Sequence, residues 1–393
     1  MGTTSFPHLW ENILGEIDEV CCDFDKSWRR RLRIIDTKLI VSFIFQIVLS
    51  QNSCGYATTL FELWSCFRAR GERPKKLKPV AASSMCEARQ KLDENIFKVI
   101  NSRLVKAYEN KIPAIDNLWH GRRIFAVDGS KILLPMELFS KGFNISSTDP
   151  RCPQGLASCL YNIKTKVPYD FTLVEHGDER LAASEHLEYL IPGDCVVYDR
   201  GYFGYVFLHQ HKNKGIDAVF RISDGPVFQP IREFMDDPLE PSEKIVTILP
   251  SESTKKDIKK RYKDIEIVPI ELRIIRYRIG ETIYFLATTL TSDEFTTEIF
   301  QEIYHSRWGV EEFYKIVKSH LKVEDFHSKT VRGVKQELFA SIVVAFLTRI
   351  MTHAAEVKLD IKGKIEDSPL PPSLKKKKNL VAQVMKKNQE KFK

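Results

Sequence analysis

From residue 5 to about 110 apolar positions recur at helical spacing. TKLIVSFIFQIVLS (Thr37–Ser50) is apolar on nearly every side, which predicts a buried helix. SSMCEARQKLDENIFKVINSRLVKAYEN (Ser83–Asn110) opens on a serine cap and then alternates polar and apolar faces. These segments predict an all-α N-terminal unit. At His120 the period shortens. GRRIFAVDGSKILLP sets a β-rich run around one aspartate, and GLASCLYNIKTKVPYDFTLVEH reads as two strands with a turn near Lys164–Pro168. DERLAASEHLEYLI has helical periodicity, and DCVVYDRGYFG is a short buried strand ending on a second aspartate. YVFLHQHKNKG is a helix and IDAVFRIS a further strand. The predicted order is β-β-β-α-β-α-β, an α/β layered unit with a mixed sheet.

From Asp224 to about Asp293 the helical signals vanish, and the β-like runs KIVTILP, IEIVPIELRIIRYRI and ETIYFLATTL alternate with polar, Lys-rich turns. This stretch predicts a β-rich insertion or an extension of the sheet. DEFTTEIFQEIYHSRWGVEEFYKIVKSHLK then predicts one long amphipathic helix. Residues 330–357 read as further core helix, and PLPPSLKKKKNLVAQVMKKNQEKFK as a Pro-broken basic tail. GERPKKLKPVAASSMCEAR is a basic turn feeding a capped helix, compatible with a helix-turn-helix that contacts DNA.

The chain has 393 residues, more than one ordinary core holds, so several structural units are expected. Its composition is that of a folded globular protein. The apolar runs Leu39–Leu49 and Ala340–Leu347 fall short of the roughly 20 residues a membrane helix needs. The N-terminus lacks a basic region followed by an apolar stretch, so a cytoplasmic protein is expected. Eight cysteines form no CxxC pair and no zinc-like spacing with histidine, which favours reduced structural thiols.

The net charge of +8 is unevenly spread. Residues 368–393 hold eight Lys and one Glu, net +7, and residues 1–120 hold 18 basic against 14 acidic residues, net +4, which leaves −3 for residues 121–367. Within the N-terminal part the basic residues concentrate in KSWRRRLR (Lys26–Arg33) and RARGERPKKLK (Arg68–Lys78). Basic ends around a mildly acidic middle fit a nucleic-acid enzyme with carboxylates at its centre, and equally a solvated surface with a Lys-rich tail.

Three carboxylates stand out by context: Asp128 inside IFAVDGS, Asp199 at the end of CVVYDRGY, and Glu311 on the long helix. An ionised carboxylate in an apolar strand is costly without a partner or a cation. Each also has a plain explanation: Asp128 a turn, Asp199 a salt bridge with Arg200, Glu311 a surface acid. On a regular helix with Tyr304 at zero and about 100° per residue, Arg307 falls near 300°, Glu311 near 340° and Lys318 near 320°. Glu312, near 80° by the same rule, lies off that stripe, while Val310, Phe313, Val317 and Leu321 occupy the opposite side. A Tyr, an Arg, a Glu and a Lys on one face can hold a phosphodiester beside a metal ligand, or can form an ordinary salt-bridged polar face.

YHSRWGVEEFYKIVK, with Tyr304, Arg307, Glu311 and Lys318 in the order Y-x2-R-x3-E-x6-K, resembles the YREK signature of IS4-type DDE transposases. Asp128 in AVDGS and Asp199 in YDRGYFG resemble the two aspartate segments of that family. The resemblance covers about residues 120–350, and the long interval between Asp199 and Glu311 resembles the family's β-rich insertion. It implies an α/β ribonuclease H-like catalytic core with a β-rich insertion, preceded by an all-α N-terminal domain and followed by a helical basic tail. The expected divisions are 1–118, helical and candidate DNA-binding; 119–223 and 291–357, the two parts of the core; 224–290, the insertion; and 358–393, the tail. It further implies that Asp128, Asp199 and Glu311 are catalytic and ligate two Mg2+ ions, replaceable by Mn2+. Tyr304, Arg307 and Lys318 would then grip DNA phosphates. Double-stranded DNA (element ends and target) is the implied partner, a homodimer on DNA the implied assembly, and DNA cleavage followed by strand transfer the implied activity. Two other readings share these residues: an inactive DNA-binding protein of the same fold, and a ribonuclease H-like nuclease without strand transfer. Trp308 is expected to pack in the protein rather than to stack on an extruded base.

Overall fold

The structure is a computed structural model that describes residues 6–365, apart from 30–33, 51–53, 72–75, 146–149, 176, 224, 226–227, 238–240, 262–264 and 293. Parts of both N-terminal basic clusters and of the helix-turn-helix candidate, and the whole 368–393 tail, lie outside the described residues. The chain divides into two compact units, one of residues 1–111, 133–153 and 315–393, the other of residues 112–132 and 154–314.

The first unit is built mainly of helices: α1 (Phe6–Trp28), α2 (Thr37–Leu49), α3 (Tyr56–Ala69), α4 (Ala82–Lys91) and α5 (Ile96–Glu109). Asp36 caps α2 by accepting from the Leu39 N–H, as the run of buried residues after it requires of a helix sunk in a core. Toward the C-terminus the long α13 (Val331–Ile365) packs on α2, α4 and α5. Buried Arg89 on α4 joins the two segments, its guanidinium 2.8 Å from Glu337 and donating to Gln336 at 2.8 Å. Among the described residues no helix is long and apolar enough to cross a membrane. All eight cysteines are free thiols.

The second unit is a mixed α/β sheet with helices on its faces. After the short α6 (Ala114–Asn117) come β1 (Ile124–Leu133), β3 (Pro153–Asn162) and β4 (Val167–Val174), with the two-residue β2 (Asn144–Ile145) falling in the first unit. Next are α7 (Glu179–His186), β5 (Cys195–Tyr198), α8 (Tyr205–Lys214) and β6 (Asp217–Arg221). The expected β-β-β-α-β-α-β order is therefore present. Strand β5 lies between β1 and β6 and is parallel to both, while β3 and β4 form an antiparallel hairpin.

Beyond β6 the sheet continues through β7 (Glu243–Ile248), β8 (Ile270–Ile279) and β9 (Thr282–Thr288), in the order β4-β3-β1-β5-β6-β9-β8-β7. The 224–293 stretch is thus an extension of the sheet, with β9 antiparallel to β6. Helices also occur there, where none is predicted: α9 (Gln229–Asp236) and α10 (Glu252–Arg261). Only Ile258 of ESTKKDIKKR is buried, so α10 carries almost no apolar periodicity to detect.

The predicted single long helix is interrupted. It consists of α11 (Thr297–Ser306), a tight turn at Arg307, α12 (Trp308–Lys315) and one π-helical turn at Ile316–His320. At Arg307 the hydrogen bonds shorten to the i, i+3 type, Arg307 N to Tyr304 O and Val310 N to Arg307 O. Inside the π turn the 100° count no longer holds, so Lys318 leaves the regular stripe drawn from the sequence.

Candidate active site

Alternation along the strands decides where the acids go. On β1, Ile124 packs on one face of the sheet with Cys195 and Val197 of β5 and Val219 of β6, against Phe300, Ile303 and Tyr304 of α11. Side chains two residues apart share a face, so Asp128 continues the row of Ile124 and Asp199 that of Cys195 and Val197. The register pairs Ala126 with Val197. Carried two residues further, that register sets Asp128, midway along β1, next to Asp199, just past the end of β5, on neighbouring parallel strands. By the same count Arg221, one past the Tyr198–Phe220 pair, stands beside Asp199.

Helices α11 and α12 lay their polar residues over these two acids. The Tyr304 hydroxyl donates to Asp199 Oδ1 at 2.9 Å. Arg307 is almost wholly buried; its Nη2 donates to Glu311 Oε1 at 2.7 Å and its Nη1 is 3.9 Å from Asp128 Oδ1. Tyr314, also on α12, donates to the Ala157 carbonyl at 2.8 Å and reaches the Asp128 carbonyl at 3.3 Å, fixing the helix to β1 and β3. Asp128, Asp199, Glu311, Tyr304 and Arg307 are therefore brought together. Lys318 belongs to the first unit, 4.0 Å from Glu324. Trp308 is 55 % exposed, with its ring 5.7 Å from His305. The expectation of a packed Trp308 fails because the turn at Arg307 points the next residue to solvent while Arg307 takes the buried position.

The electrostatics are uneven. Burial pushes the Asp128 carboxyl up to about 6; Arg307 opposes the rise, and Glu311 and Glu179 add to it. Burial also acts against ionised Asp199, but the Arg200 N–H, Arg307, the Tyr304 hydroxyl and Arg221 outweigh it and hold this carboxyl below its ordinary value. Burial, then the Asp199 charge, raises the Glu179 carboxyl. Two residues here escape sequence reasoning. Glu179 opens a helix, where an acid is an ordinary first-turn signal, and Arg221 ends a strand as Asp199 does, which is the signal that could have found it.

Among the described residues no group of three or more Asp, Glu, His or Cys is arranged to hold a metal ion as it stands. The donor chemistry nevertheless fits a hard divalent cation. All the acids offer oxygens, and Asp128 is half-buried with its charge only partly met by Arg307.

Three carboxylates thus meet one arginine, two from neighbouring parallel strands of a mixed α/β sheet and one from the covering helix. The family profile described as Transposase DDE domain matches residues 119–347, and the chain belongs to that family. No curated protein sequence matches it. Among solved structures, the cryo-EM structure of the piggyBac transposase synaptic complex with hairpin DNA is similar with a TM-score of 0.44 and 9% identity, over 97% of this chain and 79% of that chain.

Proposed function

We propose that this transposase is of the IS4 type, with Tyr304, Arg307, Glu311 and Lys318 as its YREK residues and a ribonuclease H-like core. It binds the inverted ends of its own element as double-stranded DNA, cuts a strand, and joins the freed 3′-hydroxyl to target DNA. The observation that carries this reading is the side-by-side placement of Asp128 and Asp199 with Glu311 brought to the same arginine. Asp128, Asp199 and Glu311 would hold two Mg2+ ions, with Mn2+ as a substitute. When bound, such a pair activates the attacking oxygen and stabilises the leaving one.

The chain's own groups divide the remaining work. Tyr304 keeps Asp199 oriented and ionised. Arg307 neutralises Glu311 and Asp128 while no cation is there, and its planar fork suits a phosphate once those acids turn to metal. Lys318 supplies a point charge for the same backbone. The exposed Trp308 offers a stacking surface for a base near the cut. The first helical unit and the Lys-rich residues 368–393 contribute DNA affinity, and two chains act together on two ends.

The test is cleavage and joining on the element's end sequences with Mg2+, comparing wild type with Glu311→Gln. Metal-dependent cutting with strand joining, both lost in the variant, is the expected result. Cutting without joining would establish a nuclease instead. End binding with no cutting, even with Mn2+, would establish a binding protein.

A further inference from the structure

Glu179 plays no part in the three-carboxylate scheme, yet its charge is felt at Asp128 and it feels that of Asp199. It is the first residue of α7, the helix after the β3–β4 hairpin. The capping residue Asp178 accepts from the N–H groups of Arg180 and Leu181. Arg180 Nε donates to the Gly201 carbonyl at 2.7 Å, two residues past Asp199. The far end of α7 is tied as well. His186 shares hydrogen bonds with Ser158 of β3 at 3.0 Å and Asp170 of β4 at 2.7 Å. All three are at most 3 % exposed, so this Ser-His-Asp chain meets no substrate and serves as a fastening.

Between these ties the Glu179 side chain lies beside two glycines. A Cβ at Gly129 would stand 3.4 Å from Glu179 Cγ and 3.6 Å from its Cδ, and a Cβ at Gly201 would stand 3.6 Å from Oε2. Gly129 follows Asp128 directly, and Gly201 follows Asp199 by two. The carboxyl group thus lies where a side chain at either position would make ordinary van der Waals contact with it.

Two buried donors there are short of an acceptor. Arg307 Nε closes no hydrogen bond, and the Tyr202 hydroxyl, 1 % exposed, approaches the Glu179 carboxylate without closing a full one. Tyr202 senses the charges of Glu179, Asp128, Arg307 and Asp199, so it faces the same space. A buried donor left alone costs about 1–3 kcal/mol, and the water shell of a cation or a phosphate oxygen supplies what both donors lack. Charge points the same way. Three carboxylates and one guanidinium leave two divalent cations poorly balanced, and a fourth carboxylate improves the match.

We propose that Glu179 is a fourth carboxylate ligand of the divalent-cation centre, acting with Asp128 and Asp199 and resting on the centre proposed above. The measurement is Mn2+ binding to the full chain, read by electron paramagnetic resonance of free Mn2+. The set comprises wild type, Glu179→Gln, Glu179→Asp, Asp199→Asn, and Glu185→Gln as an exposed acid on the same helix. Glu179→Gln is expected to weaken binding about tenfold or more, Glu179→Asp less, and Glu185→Gln not at all. The Asp variant keeps the charge and carries the test if the amide does not fold. Wild-type affinity in both Glu179 variants, with Asp199→Asn weakened, would overturn the ligand role and leave the centre standing. Mn2+ binding that ignores Asp199→Asn would overturn the centre, and the Glu179 role with it.

Discussion

Neighbouring strands β1 and β5 lead to the same residue, on the same face and in the same register, and treat it in opposite ways. At β5 the Asp199 carboxylate receives the Tyr304 hydroxyl and the Arg200 N–H and feels Arg307 and Arg221, which together outweigh its burial. At β1 the Asp128 carboxyl is more deeply enclosed and has two acids, Glu311 and Glu179, among its neighbours; Arg307 approaches only to 3.9 Å. The difference teaches that strand position sets where a carboxylate points, whereas the groups arriving from α7, α11 and α12 set whether it is content to be charged. Asp199 is an anchor, ionised in advance. Asp128 is a charge waiting for a counter-ion.

The largest effect expected is one the two aspartates share. Asp128→Asn and Asp199→Asn should each cut DNA cleavage by about a thousandfold or more, since each removes transition-state stabilisation worth roughly 4 kcal/mol. A cleavage assay in which one variant retains wild-type rate would separate the two aspartates in function as well as environment.

The next effect divides them. With its folded value near 6 against 3.8 unfolded, Asp128 binds its proton more tightly in the folded chain. Its ionisation therefore removes stability as pH rises from about 4 to 6, by roughly 3 kcal/mol once complete. Metal-free Asp128→Asn should melt higher than wild type at pH 7.5 and equal to it at pH 4. Asp199 has the opposite sign: its stabilisation is present above its unfolded value and lost on acidification, so Asp199→Asn should melt lower at pH 7.5, by about 1–2 kcal/mol. Shifts of the same sign in denaturation curves would break the comparison.

Smaller effects sharpen it. Gly129→Ala would bring a Cβ to 2.9 Å from Leu156 Cδ1, at a cost of about 1–2 kcal/mol in thermal unfolding. Gly201→Ala, facing only Glu179 at 3.6 Å, should cost less. Least of all, Tyr304→Phe removes one donor from Asp199 and should raise that carboxyl toward its ordinary value, as a carboxylate titration followed by nuclear magnetic resonance would read.

Much of this arrangement was legible in the chain. Alternation around Asp128 and the apolar run CVVY before Asp199 marked two buried strands, and strand geometry put both acids on one face. The i, i+4 spacing of Arg307 and Glu311 foretold their ion pair, 2.7 Å in the structure. What stayed hidden depends on the backbone or on distant partners. The turn at Arg307 and the π turn after Lys315 shift hydrogen bonds without changing composition, so neither the exposure of Trp308 nor the departure of Lys318 from the stripe could be foreseen. Helix α10 lacked an apolar face to announce it. Glu179 looked like any first-turn acid, because nothing local reports that the fold sets it beside Gly129 and Gly201.

The most direct test of the claim that Asp128 and Asp199 form one metal centre is anomalous diffraction at the manganese edge from crystals of the full chain soaked in Mn2+. The account predicts an anomalous peak within about 2.5 Å of oxygens from both aspartates. A peak elsewhere, or none on these two carboxylates while Mn2+ supports cleavage in solution, would contradict it.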